Sequence, residues 1–153
     1  KRLLVINNHL ESFKLTMEDR SRYSDLISRF DADKLQDMRG SISNKLSTAF
    51  RIRARQAEAI AEVIREEDKE AYVLVCGDFN DTPISYAHRT IQGPLLDAFA
   101  ESGSGVGITY NQNFFWFRID NILHSQNIRS SNCRVEKIPY SDHYPLSCYI
   151  TLE

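Results

Sequence analysis

Tyr72-Val73-Leu74-Val75-Cys76-Gly77-Asp78-Phe79-Asn80-Asp81 runs without a break from an apolar segment into a carboxylate-rich turn. Its first half is apolar at nearly every position and β-branched at Val73 and Val75, which predicts a strand buried on both faces. Two carboxylates and a carboxamide then stand where that strand leaves the core. A buried strand gains no stability from them, because desolvating an uncompensated charge is costly. Strand ends in layered α/β folds are where ligands bind, and oxygen ligands there suit a hard cation such as Mg²⁺. Gly, Asp and Asn also favour plain turns, so this stretch alone leaves both readings open.

A chain of 153 residues can hold one domain with a sizeable core. Its net charge of −2 supplies no global basic field to recruit nucleic acid or membrane, so a nuclease would need a local basic patch. The odd count of three cysteines (Cys76, Cys133, Cys148), with no CxxC spacing, argues against a closed disulfide framework. Free thiols of that kind favour a reducing compartment. No run reaches the roughly 18 apolar residues of a transmembrane span. Lys1-Arg2-Leu3-Leu4-Val5-Ile6-Asn7 opens inside a predicted strand without Met, the pattern of a piece of a longer parent. Such a parent has room upstream for a targeting or membrane segment.

Residues 2–7 predict a buried strand leading into Asn7-Asn8-His9-Leu10-Glu11-Ser12. Thr16 and Asp19 have capping-box spacing before a helical stretch through about Phe30. Residues 31–40 are polar and acidic, and predict a mobile connection or a short helix. Ile42, Leu46, Ala49, Arg53, Ala57, Ile60 and Ile64 recur at three- and four-residue intervals, predicting an amphipathic helix over 41–67. After strand 72–76, Thr82-Pro83 predicts a cap and first helical position for a helix over 84–91, ended by Gly93-Pro94. Gly103, Gly105 and Gly107 mark a loop, and strands are predicted at 109–110, 114–117, 119–124, 127–137 and 146–152. The order β-α-α-β-α followed by strands is an α/β (α+β) pattern in one domain over 1–153.

Four polar clusters fall at the ends of these strands: Asn7 with His9, Asp78 with Asn80, Asp120 with Asn121, and Asp142 with His143. A lone histidine at a strand end is ordinarily a surface residue, and Asp142-His143 also suits an Asx-turn. Asp120 is flanked by Ile119, Ile122 and Leu123, and a strand carboxylate facing a core must be paired, hydrogen-bonded or metal-bound. The joint occurrence of all four clusters at strand ends favours a site.

NNHLES at 7–12, GDFND at 77–81, RIDN at 118–121 and SDHYP at 141–145 resemble, in this order, the motifs of the endonuclease/exonuclease/phosphatase superfamily. The resemblance spans the chain from His9 to Pro145. It implies the DNase I-like fold, in which two sheets pack face to face between helical layers, with this chain supplying one mixed sheet and its helices, about half of the four-layer αββα sandwich. It also implies hydrolysis of phosphodiesters or phosphomonoesters with Mg²⁺ or Mn²⁺, on substrates that across the superfamily include DNA, RNA, inositol phospholipids and sphingomyelin. Carried onto this sequence, Asp142 contributes to the metal site and His143 contacts the scissile phosphate, with Asp120 orienting and charging its imidazole. Asp78 orients or deprotonates the attacking water, Asn80 donates to a phosphoryl oxygen, and His9 protonates or stabilises the leaving oxygen.

The superfamily's preceding strands carry an Asn motif and a metal-binding Glu, and Lys1–Asn7 has no counterpart. Glu58, Glu62, Glu66 and Glu67 lie on the long predicted helix, where solvated charge is the ordinary role. The expected partners are therefore a phosphoester substrate and the N-terminal half of the domain. Self-association through an exposed sheet face would take the place of that half. A catalytically inactive fragment or interaction module is the alternative, and a nuclease acting on DNA or RNA a third. Arg20, Arg22, Arg29, Arg39, Lys45, Arg51, Arg53 and Arg55 could face a polyanion, although interspersed acids make a mixed-charge surface the simpler reading. Phe114-Phe115-Trp116-Phe117 could stack on a base or dip into lipid, with core packing the simpler role.

Overall fold

A computed structural model describes residues 1–13, 32–112 and 116–153. The helix expected after Thr16 and Asp19, the cations Arg20, Arg22 and Arg29, and the aromatic pair Phe114-Phe115 lie outside these residues.

Strand β1 (Leu3–His9) leads to helix α1 (Ala32–Glu66), which crosses over to β2 (Tyr72–Asp78). The two strands pair in parallel, with Leu4 opposite Val73 and His9 opposite Asp78. Such pairing needs a long crossover, and α1 supplies it. Helix α2 (Tyr86–Gln92), the two-residue strand β3 (Leu96–Asp97) and helix α3 (Ala98–Ser102) follow. Strand β4 (Asp120–His124) then inserts antiparallel between β2 and β3, giving the order β1-β2-β4-β3. Strands β5 (Ile128–Val135) and β6 (Leu146–Leu152) form a separate antiparallel pair, bulged between Ser131 and Arg134. The result is a mixed α/β fold with a mixed four-stranded sheet and flanking helices, as the sequence predicts.

Period-two alternation sends Leu4, Ile6, Val73, Val75 and Leu123 to one face of this sheet. There they pack with Ala57, Phe79, Ala87, Ile91 and Leu95 into the main core, closed by Ile60 and Ile64 of α1. Ala49, Arg53 and Ala57 are buried at the predicted helical spacing. On the opposite face, Ile122 joins Ala98, Phe99, Cys133, Val135, Leu146 and Cys148 in a second cluster beneath β5 and β6. The cysteines are free, and burial, then the neighbouring Cys148, pushes the Cys133 thiol up to about 11, so it is an inert packing residue. Among the described residues no helix is long and apolar enough to cross a membrane.

Several expectations need correction. Strands β1 and β2 are not buried on both faces. Leu3 and Val5 are 44% and 51% exposed, and Leu74 and Cys76 are half-buried while Val73 and Val75 are fully covered. The helix predicted from residue 41 begins at Ala32, so the polar segment before it is mostly helical. Gly40 lies within that helix, where a glycine costs only about 1 kcal/mol against alanine, less than the rest of a long helix supplies. Helix α2 starts at Tyr86 and is capped by Ser85, whose Oγ accepts the His88 amide at 3.1 Å. Thr82 instead closes the preceding turn, its carbonyl accepting the Ser85 amide. Tyr110 and Phe117 meet only in an isolated bridge, and the paired strands expected there are absent among the described residues.

Candidate functional site

Three strand ends converge on the face opposite α1 and α2. The parallel register sets His9 beside Asp78, and the antiparallel register sets Asp120 on its other side. Since alternation is strict along β2 and β4, Asp78 and Asp120 share that face while Phe79 and Asn121 point to the helix side, where both are buried. The carboxylates thus meet because three strands end at the same level.

Gly77 permits the approach. Its φ is +131°, and a Cβ there would lie 1.9 Å from the Asn8 carbonyl oxygen. Beyond Asp78 the chain makes an Asx-turn. The Asn80 amide donates to Asp78 Oδ1 at 2.7 Å, with Asn80 in the left-handed region at φ 49°. The Asn80 Nδ2 donates to the Leu10 carbonyl at 2.9 Å, and the Leu10 amide donates to the Asp78 carbonyl at 2.9 Å. The turn reading and the site reading of Gly77–Asp81 are therefore compatible.

His143 comes from the loop between β5 and β6. Its Nδ1 lies 2.8 Å from Asp120 Oδ2, and its Nε2 lies 3.9 Å from Asp78 Oδ2. On the far side of Asp78, His9 Nε2 stands 3.5 Å from the same oxygen, with its side chain 74% exposed. Burial pushes the Asp78 carboxyl above the usual range and the Asp120 charge adds to this, against the Asn80 amide and the two imidazoles. The hydrogen bond that His143 donates to Asp120 raises its pKa against its own burial, and the charges of Asp120, Asp78 and Asp142 add to it.

Asp78, Asp120 and His143 offer donor atoms within 4.8 Å of one another, a group that could hold a metal ion. Two carboxylates brought side by side repel, and a divalent cation would offset that repulsion, so the donor set fits one. Asp142 lies outside this group. It is exposed, and its Oδ1 accepts from Ser141 Oγ at 3.2 Å. Of the residues singled out in the sequence, His9, Asp78, Asn80, Asp120 and His143 come together. Asn7 is exposed, and Asn121 turns back to donate to the Ile119 carbonyl.

Two supports escaped the sequence reading. Thr109, fully buried, accepts the Ile119 and Asp120 amides on Oγ1 at 3.1 Å each and so fixes the start of β4. The Tyr110 ring packs on His143 with centroids 5.0 Å apart. Both sit in a glycine-flanked loop with no periodicity to mark them. The available signal was the Thr109-Tyr110 pair, which suggests β structure but no particular contact.

A model of the endonuclease/exonuclease/phosphatase family matches residues 17–143. No curated protein matches closely enough to count as a relative. Among solved structures, an endonuclease/exonuclease/phosphatase from Bacteroides vulgatus is 27% identical, with a TM-score of 0.58 over 67% of this chain and 45% of its own. The mannosyl-6-phosphatase Bt3783 of Bacteroides thetaiotaomicron is 17% identical, with a TM-score of 0.55 over 98% of this chain and 51% of its own. Truncated TDP2 of Caenorhabditis elegans is 19% identical, with a TM-score of 0.56 over 95% of this chain and 53% of its own. The chain spans about half the length of these structures.

Proposed function

The chain belongs to the endonuclease/exonuclease/phosphatase family, and we propose that it carries part of the active site of a divalent-metal-dependent hydrolase of phosphodiesters or phosphomonoesters. The observation that supports this most directly is Asp78 standing between two imidazoles and opposite a second carboxylate at one sheet edge. Nothing in core packing requires four titratable groups there.

Each group has a chemical task that its surroundings suit. Asp78, with its pKa raised by burial, is the better proton acceptor for a water approaching phosphorus. His143, whose protonated form Asp120 favours, presents its Nε2 hydrogen to a phosphoryl oxygen. Asn80 has two amide hydrogens, one given to Leu10, and the other is the donor we assign to the phosphoryl group. The exposed His9 gives a proton to the leaving oxygen as the phosphorus–oxygen bond breaks. The Asp78 and Asp120 carboxylates would hold Mg²⁺ or Mn²⁺ from this chain's side, while the exposed Asp142, outside that group, is assigned to the metal on the family resemblance alone. A bound cation supplies Lewis-acid polarisation of the phosphoryl oxygen.

The open face of β1, with Leu3 and Val5 exposed, supports a further proposal: that the remaining half of a longer domain covers it. Light scattering of the 153-residue chain is then expected to show association at rising concentration; a compact monomer throughout would remove that support. The hydrolase reading is tested in the full-length protein with an activated phosphodiester and an activated phosphomonoester. Turnover that depends on Mg²⁺ or Mn²⁺ and stops with EDTA is expected, and no turnover of either ester would overturn it. Plasmid nicking that is likewise abolished by EDTA would place the activity among nucleases.

A further inference from the structure

Arg53 lies on α1 behind the two turns that carry the site, and its side chain is fully buried. A guanidinium taken out of water must be paired, and the partners here are specific. Its Nη1 donates to the Glu11 carbonyl at 3.0 Å, and its Nε lies 3.2 Å from Asp81 Oδ2. The rings of Phe13 and Phe50, edge to face with each other, cover it at 4.2 and 4.9 Å. Nearly one turn along α1, Gln56 Oε1 accepts the Glu11 amide at 2.9 Å, so the helix grips Glu11 by both its amide and its carbonyl.

The polar partners of this clamp follow the site residues in the chain. Glu11 comes two residues after His9, and Asp81 comes directly after Asn80. An ordinary buried ion pair ties together whatever elements surround it; this one joins the turn after β1 to the turn after β2. Burial lowers the Arg53 pKa, and Asp81, then Asp78 and Glu11, work against that. The sequence shows Arg53 on the inward phase of the helix, and its burial removes it from any solvent-facing polyanion surface.

We propose that Arg53 is a positioning residue that, with Gln56, sets the spacing between His9 and the Asp78–Asn80 turn. Its kinetic consequence rests on the hydrolase reading; the clamp itself does not.

The test uses Arg53→Lys and Gln56→Ala in the full-length protein, the second variant leaving the buried Arg53–Asp81 pair intact and so keeping its fold if the first does not. Amide exchange at Leu10, whose hydrogen crosses to the Asp78 carbonyl, and at Asn80, whose hydrogen closes the second turn on Asp78 Oδ1, is expected to quicken about 10-fold or more in either variant, while Leu123 in β4 keeps its protection. With substrate, kcat is expected to fall about 100-fold with KM changed less than about twofold, the mark of misplaced groups. Unchanged exchange at Leu10 and Asn80 alongside a lowered melting temperature would overturn the proposal and leave Arg53 a core ion pair. An inactive wild-type protein would defeat the hydrolase reading, with the exchange result still deciding the clamp.

Discussion

His143 Nδ1 meets Asp120 Oδ2 at 2.8 Å, joining the loop between β5 and β6 to the first residue of β4. That hydrogen bond is the chief cause of the raised imidazole pKa, and the charges of Asp120, Asp78 and Asp142 add to it while burial opposes. A folded pKa above the ordinary 6.5 means the contact favours the protonated imidazole. The stability it contributes is fully present below the unfolded value and is lost as pH rises through the folded one. In EDTA-treated protein, NMR titration of the His143 ring is expected to give a midpoint above that of a free histidine. Asp120→Asn should move it down, and an unmoved midpoint would show that the pair is not coupled.

Asp78→Asn keeps the shape of the side chain and its acceptor for the Asn80 amide while removing the charge. Because burial already disfavours that charge, stability is expected to change by less than about 1 kcal/mol. Activity on a phosphodiester should fall by about 10³-fold, within the range for loss of a general base. Paired measurements of melting temperature and initial rate check this. A rate within a few-fold of wild type would show that Asp78 does no proton chemistry.

How the chain reveals its fold depends on the length of each element. Tyr72–Asp78 and Asp120–His124 were legible because their apolar patterns are long enough to mark strands, and once the strands are placed, alternation puts Asp78 and Asp120 on one face. What covers that face is a long-range property, and so the half-exposed side of β1 was read as buried. Strand β3 has two residues and α3 has five, too few for any period to show. Their anchor is Asp97, which caps α3 through the Phe99 amide and holds Arg118 by two bonds of 2.8 and 2.5 Å. Arg53 shows the other limit. Its helical phase was legible, but an inward arginine has meaning only once Glu11 and Asp81 are known to lie behind it.

The cap of α2 separates two readings of one segment. Thr82-Pro83 has the composition of a helix start, yet Ser85 accepts the His88 amide. Ser85→Ala is expected to cost about 1 kcal/mol in urea unfolding, the usual value of a lost N-cap. Thr82→Ala should cost less than about 0.5 kcal/mol, since only its backbone carbonyl closes the turn. The reverse order would return the cap to Thr82.

Gly77 is where the site depends most on the absence of a side chain. At φ +131° an alanine is strained by itself, and its Cβ would lie 1.9 Å from the Asn8 carbonyl oxygen. That oxygen belongs to β1, paired with β2 from Leu3 to His9, so it cannot retreat without disturbing the ladder that carries His9. Gly105 provides the control, with φ +76° and nothing within 4 Å of an added Cβ. Gly105→Ala should cost about 1 kcal/mol, the penalty of a positive φ alone. Gly77→Ala should cost about 3 kcal/mol or more, through strain and clash together. If it folds, it should also lose most activity, because Asp78 is the next residue and must follow any shift of the strand. Equal costs for the two alanines in denaturant unfolding would mean that β1 and β2 do not approach closely at Asn8, and that the spacing of His9 and Asp78 is set elsewhere.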